Sequence, residues 1–384
     1  MNQVTTETDV LFEVKKEHLN KGMRGIPVGT CETSSVDPHK GLHYVGSPVS
    51  EMASWEPEDV IYLLKHRKRG SEAEVAAFSK ELEGRTHIDK RLVEAIHKLP
   101  REGAAMDHFC ASLQLAGMFE TTGDYQEDCL NLIAKIPLIV AESINAHAGW
   151  GGCRPSDTSL GYMSNFSQML NVPDADEEAL AEVMRLFNVL HYDHGGGNLS
   201  AFVGKSTASG LQHLYGSLVS AMNALAGPRH GKANQNCLAF VQEVLELVGE
   251  NGTEQDVENL IRDKLAKKEL VYGFGHAVLR VEDARATILY AEAEKQYSDH
   301  PLVKVALMLR TVGPKVLSEN PKISNPYPNV DAISGIVLTA AGFNYPEYYT
   351  VLFGLSRVVG IAIQIVYERC TLGTPIVRPK FIGV

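Results

Sequence analysis

Two histidines and one aspartate define the chemistry open to this chain. His230 stands in Gly227-Pro228-Arg229-His230-Gly231-Lys232-Ala233-Asn234, His276 in Gly273-Phe274-Gly275-His276-Ala277, and Asp331 in Asn329-Val330-Asp331. Imidazoles and a carboxylate at element ends are what a site needs to move protons on and off carbon and oxygen near neutral pH. His230 follows a Gly-Pro break, and Ala233 and Asn234 are placed to open a new helix whose unpaired amides would lie beside the imidazole. A helix N-terminus favours a neutral imidazole and adds its dipole to a developing oxyanion, so His230 reads as a hydrogen-bond donor to an enolate oxygen. The alternative is a surface histidine or a satisfied core one.

Cationic residues surround these three in sequence. Arg280 and Arg285 follow the glycine-flanked His276. Beside that histidine they read as clamps for a carboxylate or phosphate, where alone they would be solvated charge. Arg357 lies inside the apolar run Val351-Leu352-Phe353-Gly354-Leu355-Ser356-Arg357-Val358-Val359-Gly360. An unpaired guanidinium there is expensive to desolvate, so it pairs with a buried acid or lines a pocket that receives an anion. Arg378, in Val377-Arg378-Pro379-Lys380, reads by itself as an exposed tail charge.

Other motifs fail on inspection. His191-Tyr192-Asp193-His194-Gly195-Gly196-Gly197-Asn198 has two histidines and an acid but no fourth ligand nearby, so it reads as a loop presenting His194 to an anion rather than as a metal site. Gly273-Phe274-Gly275 lacks the third glycine and the preceding strand of a dinucleotide fingerprint, and Leu199 stands where a phosphate loop ending at Gly204-Lys205-Ser206 needs glycine. No G-x-S-x-G elbow occurs.

The elements that must position these residues are helical. Ser71 and Glu74 have capping-box spacing ahead of Val75, Phe78 and Leu82. Leu211, Leu214, Tyr215, Leu218, Met222 and Leu225 predict one helix that stops at Gly227-Pro228. Thr253 and Asp256 predict the cap of another, with Val257, Leu260, Ile261 and Leu265 as its apolar stripe. Alternation between Cys31 and Val45 predicts a small hairpin. No repeated βα units occur, so the expected class is all-α. The charge-rich, loop-rich segment after Gly231 suggests a smaller lobe, 231–337, inserted into a large helical domain formed by 1–230 and 338–384. A cleft between lobes would then hold the site.

Composition narrows the partners. The chain has 384 residues, 44% of them hydrophobic, and a net charge of −11, which argues against nucleic acid or an anionic membrane as partner. An anionic substrate therefore requires a local cluster of arginines. Six scattered cysteines without a C-x-x-C pair read as reduced thiols. The N-terminus mixes Glu7 and Asp9 with Lys15 and Lys16 and shows neither a secretory signal nor a transit peptide. The one membrane-like stretch, 348–367, is interrupted by Arg357 and Gln364 and reads as a buried helix. A soluble cytoplasmic protein is the expectation.

Taken in order, these motifs resemble the citrate synthase family. The resemblance rests on Gly-Pro-Arg-His-Gly-Lys-Ala-Asn at 227–234, Gly-Phe-Gly-His-Ala-Val-Leu-Arg at 273–280, Pro-Asn-Val-Asp at 328–331, Phe-Gly-Leu-Ser-Arg at 353–357 and Arg-Pro at 378–379. It runs from Gly22-Met23-Arg24-Gly25 onward and is closest to the family's eukaryotic-like branch, for which the N-terminus is short, as in a prokaryotic enzyme without a targeting peptide. The resemblance implies a homodimeric, two-domain, all-α enzyme that uses acetyl-CoA and oxaloacetate, needs no metal or other cofactor, and closes its lobes on substrate. It implies Asp331 as the base toward the acetyl methyl group, His230 as the enolate donor, and His276 as the group that polarises and protonates the oxaloacetate carbonyl. His194, Arg285 and Arg357 would hold carboxylates, with Arg378 reaching the partner subunit's site. Arg280 and Arg24 would meet CoA phosphates.

Three departures stand beside the resemblance. No lysine is close before Asn325-Pro326, with Lys322 as the substitute; 145–153 lacks a basic residue; and Arg229 and Lys232 bracket His230. The rival readings are a 2-methylcitrate synthase using propionyl-CoA, and the same chemistry run toward citrate cleavage. From another class, a catalytically dead relative that binds CoA or anions is argued against by the intact His230, His276 and Asp331.

Overall fold

The computed structural model describes residues 10–173 and 175–383; Glu7 and Asp9 lie outside the described residues. An antiparallel sheet comes first, with β1 (Ser34–Asp37), β2 (Gly41–Tyr44) and β3 (Ser47–Pro48) side by side. Ser34 pairs with Tyr44 and Val36 with Leu42, so the expected hairpin is present.

Helices follow. They are α1 (Pro57–His66), α2 (Glu72–Glu83), α3 (Lys90–Ile96), α4 (Ala105–Glu120), α5 (Tyr125–Ala148), α6 (Tyr162–Met169), α7 (Glu177–His191), α8 (Leu199–Ser209) and α9 (Leu214–Leu225). After them come α10 (Ala233–Val248), α11 (Glu254–Ala266), α12 (Ala284–Tyr297), α13 (Pro301–Ser318), α14 (Asp331–Ala340) and α15 (Tyr349–Val366). The fold is all-α, as expected. Helix α15 is buried along nearly its whole length against α1, α4, α5, α7, α8, α9 and α10, while α10 to α14 pack chiefly on one another.

Local rules account for many of the ends. Ser71 Oγ accepts from the Glu74 amide while Glu74 accepts from the Ser71 amide, and Thr253 and Asp256 do the same at α11. Helix α9 departs from expectation. Leu211 is 76% exposed with a φ of +65°, and the helix begins only at Leu214, capped by His213. Its apolar spacing matched the stripe, but α8 ends at Ser209 and the reversal after it places Leu211 in a left-handed turn.

Two helical stretches, Tyr125–Ala148 and Pro346–Leu372, are long and apolar enough to cross a membrane, so the second was not alone. Most of each is buried within the protein, as core helices are. Helix α5 carries Pro137 in its interior, and the Ile133 carbonyl that the missing N–H leaves free accepts from the Tyr162 hydroxyl at 2.6 Å.

Candidate active site

Two loop segments, 273–283 and 325–331, are laced together and carry His276 and Asp331. The Gly275 amide donates to the Tyr327 carbonyl at 3.1 Å, the Asp283 amide to Pro328 at 3.1 Å, and the Asn329 amide to Gly273 at 2.9 Å. Asn329 joins the two residues of interest. Its side-chain amide donates to the Gly275 carbonyl at 2.9 Å, and its Oδ1 accepts from the Asp331 amide at 3.0 Å. Gly273 has a φ of +83°, and a Cβ there would lie 2.8 Å from Cys237 Sγ, so only glycine fits between this loop and α10.

His276 has a defined tautomer. Nδ1 accepts from the Val278 and Leu279 amides, both at 3.0 Å, so a neutral ring carries its proton on Nε2. Arg280 Nη1 donates to the Val278 and Leu279 carbonyls at 2.9 and 2.7 Å, stiffening the same turn. Burial, reinforced by Arg285, pushes the His276 pKa down.

His230 meets a helix N-terminus, but not that of the helix following it. Nε2 lies 3.0 Å from Ser200 Oγ and 3.3 Å from the Ser200 amide, in the first turn of α8. A backbone amide only donates, so Nε2 is the acceptor and the neutral ring carries its proton on Nδ1. Burial, aided by Arg357, pushes the pKa down to about 4. The imidazole is therefore neutral and a donor at physiological pH.

The arginines face opposite situations. Buried Arg285 is gripped by buried Asp283, Nε to Oδ1 at 3.0 Å and Nη2 to Oδ2 at 2.7 Å, and the same Asp283 caps α12. Burial opposes both charges, yet the pair raises the Arg285 pKa and lowers that of Asp283. Arg357 has no such partner among the described residues. Its Nε donates to the His191 carbonyl at 3.2 Å, the guanidinium sits 4.7 Å from the Phe353 ring centroid, and Nη1 is buried without a partner. Burial pushes its pKa down to about 10, against the help of Asp193. Among the described residues Arg357 forms no ion pair with a buried acid, and Asp193 acts on it only through its charge.

His194 is in the same situation. Its Nε2 is also buried without a partner, and its ring centroid lies 5.3 Å from that of His276. Burial, then Arg285 and Arg357, push its pKa well down. The charges of Arg285 and Arg357 both act on His194, whose Nε2, like Arg357 Nη1, has no partner among the described residues.

Asp331 is the first residue of α14 and is half-buried. Burial raises its pKa to about 6, with Arg285 pulling it down and Asp283 pushing it up. It is still ionised above neutrality and is a stronger base than an ordinary carboxylate. A base, two neutral imidazoles with defined donor nitrogens and an anion pocket together suit proton abstraction from carbon followed by attack on a carbonyl.

The other expected residues stay outside this group. Arg24, Lys322 and Arg378 are exposed and form no ion pair among the described residues, and neither do exposed Arg229 and Lys232. Arg101 donates from Nε to the His147 carbonyl at 3.0 Å, bringing positive charge to the stretch 145–153 that has no basic residue of its own. Ser200, Asp283 and Asn329 were missed in the sequence. Asp283 and Asn329 had a signal, being cap-type residues two before Arg285 and Asp331; Ser200 had none pointing to His230. Among the described residues no cluster of His, Cys, Asp and Glu has metal-holding geometry.

Comparisons with known proteins point to one family. The family model "Citrate synthase, C-terminal domain" matches residues 22–380. Citrate synthase 4, mitochondrial, of Arabidopsis thaliana is 37% identical over 94% of this chain and 80% of its own length. A 2-methylcitrate synthase, mitochondrial, of Yarrowia lipolytica is 34% identical over 97% of this chain and 84% of its own. The structure of a ternary complex of carboxymethyl coenzyme A and oxaloacetate with the citrate synthase of Thermoplasma acidophilum superposes with a TM-score of 0.82 at 26% identity, covering 95% of each chain.

The relatives' names overturn the cytoplasmic location expected from the sequence, since they are mitochondrial proteins. Dispersed reduced thiols report a reducing compartment without saying which one, so they never distinguished the two. By its matched length, its identity to these relatives and its fold, this chain belongs to the citrate synthase family of condensing transferases.

Proposed function

We propose that this protein condenses acetyl-CoA with oxaloacetate and water to give citrate and CoA. The observation that carries the reading is that Asp331, His230 and His276 each feel the charge of Arg285 or Arg357, while Arg357 Nη1 and His194 Nε2 have no partner among the described residues. Asp331 removes a proton from the methyl carbon of acetyl-CoA. His230 Nδ1–H donates to the thioester oxygen as it gains charge, which is where stabilisation of the transition state matters. The enolate carbon attacks the keto carbon of oxaloacetate, and His276 Nε2–H polarises and protonates the keto oxygen. Water then cleaves the C–S bond of citryl-CoA, releasing the CoA thiol.

His194, Arg285 and Arg357 hold the oxaloacetate carboxylates in this reading. Exposed Arg24 and Lys322, with half-buried Arg280, meet the CoA phosphates, and 231–337 acts as the smaller lobe beside 1–230 and 338–384. The protein acts as a homodimer with Arg378 reaching the partner subunit's site. Support for that assembly comes from the C-terminal segment, where Ile376, Phe381 and Ile382 are 65%, 90% and 64% exposed around Arg378.

A second reading is a 2-methylcitrate synthase using propionyl-CoA, favoured by the Yarrowia lipolytica relative. One methylene is worth about 1–3 kcal/mol in discrimination. Thiol release with oxaloacetate and each acyl-CoA decides between them. The proposal expects the larger kcat/KM with acetyl-CoA; a clear propionyl-CoA preference overturns it.

A further inference from the structure

The turn that presents His194 is held by the N-terminal hairpin, more than 140 residues away in sequence. The Asp193 amide donates to the Tyr44 hydroxyl at 3.2 Å, and the Gly195 amide to Ser34 Oγ at 2.7 Å. The Thr33 hydroxyl and Gln364 Nε2 both donate to the Asp193 carboxylate, fixing the first residue of the turn from two sides. Ser34 and Tyr44 are cross-strand partners, so one rung of the β1–β2 ladder grips both sides of His194. Tyr44 is fully buried, and the charges of Arg285 and Arg357 both act on its hydroxyl. No protein acceptor for its own proton occurs among the described residues.

The far end of the hairpin reaches the other half of the site. The Arg280 amide donates to the Pro38 carbonyl at 2.7 Å, and Gly41 packs against Ala284, next to Arg285. The hairpin therefore spans from the turn carrying His194 to the start of the helix carrying Arg285. A histidine on a turn with three glycines after it needs such an outside brace, because its own backbone leaves it many alternatives.

We propose that Tyr44, with Ser34, is a positioning residue of the oxaloacetate site: the two side chains hold the 193–195 turn so that His194 meets the dianion bound by Arg285 and Arg357. The proposal rests on reading this pocket as the oxaloacetate site. Tyr44→Phe removes one hydroxyl and keeps the ring in the core.

The test is calorimetric binding of oxaloacetate alone, together with both KM values and the melting temperature. Tyr44→Phe should bind oxaloacetate about three- to tenfold more weakly, the worth of one hydrogen bond, with the acyl-CoA KM unchanged and the melting temperature lowered by only a few degrees for the Asp193 amide left without an acceptor. A change below twofold, or an equal rise in both KM values, overturns the proposal. If Tyr44→Phe does not fold, Ser34→Ala, which frees only the Gly195 amide, is read by the same two criteria. A parent protein that binds oxaloacetate without turnover defeats the functional reading and leaves this proposal to its own test. A parent that fails to bind oxaloacetate defeats both.

Discussion

His230 Nε2 and Ser200 lie within hydrogen-bond distance through both the Ser200 hydroxyl, at 3.0 Å, and the Ser200 amide, at 3.3 Å. This double contact sets which nitrogen of His230 holds the proton. It also places the imidazole at the positive end of α8, while the helix that His230 itself precedes in sequence, α10, plays no part in it. The neutral ring keeps Nδ1–H free to donate, and burial with Arg357 nearby keeps it from gaining a second proton.

Ser200→Ala keeps the amide that sets the tautomer and removes the hydroxyl that helps hold the ring in place, so kcat should fall by about tenfold, the worth of one buried hydrogen bond, with the oxaloacetate KM unchanged. Steady-state kinetics of thiol release measures both. An unchanged kcat would show that the amide alone fixes the ring.

Asp331 predicts the acid limb of the pH profile. Its pKa is raised to about 6 while that of His230 is about 4, so kcat/KM should fall below about pH 6 as Asp331 gains its proton, with His230 titrating well below that limb. The linkage has the sign of a raised pKa. The native state binds the proton more tightly than the unfolded chain, so stability is lost as pH rises from about 4 through 6. Asp331→Asn should abolish turnover and raise stability at pH 7 to 8 by about 1–3 kcal/mol, measured by denaturant unfolding. A less stable, inactive variant would contradict the assignment of burial as the cause.

Arg357 separates binding from stability. Arg357→Met removes a buried charge with no ion-pair partner, so the melting temperature should hold or rise. Oxaloacetate binding should weaken about a hundredfold, as for two charge-assisted hydrogen bonds. A sharp drop in melting temperature with binding intact would mark Arg357 as a structural residue.

Arg378 yields a complementation test. His276→Ala and Arg378→Ala should each be inactive alone as homodimers. Co-expressed, they should regain activity in mixed dimers, where one site has His276 from one chain and Arg378 from the other. Absence of recovery in dimers shown to be mixed would place Arg378 outside the partner's site.

Much of the site was legible because its motifs are short. The residues around His230, His276 and Asp331 are glycines, prolines and asparagines that set local backbone, and such signals act within a few positions in any chain. The capping boxes at Ser71 and Thr253, the Cys31–Val45 hairpin and the all-α class follow from the same short-range rules. Where a rule needed to know what came next in space, it failed: the stripe beginning at Leu211 had helical spacing, yet that residue is exposed in a turn.

The sequence by itself determined the parts, namely which residues carry protons and charge and which segments form helices. Their pairings come from the folded arrangement. Ser200 meets His230 across thirty positions, Tyr44 and Ser34 brace the His194 turn from the N-terminal hairpin, and Arg357 is left without an acid while Arg285 receives one two residues away. Spacing along the chain encodes only neighbours within a turn or a strand pair. Proton location, the raised pKa of Asp331 and the unpartnered Arg357 Nη1 and His194 Nε2 arise from burial and from contacts between elements distant in sequence.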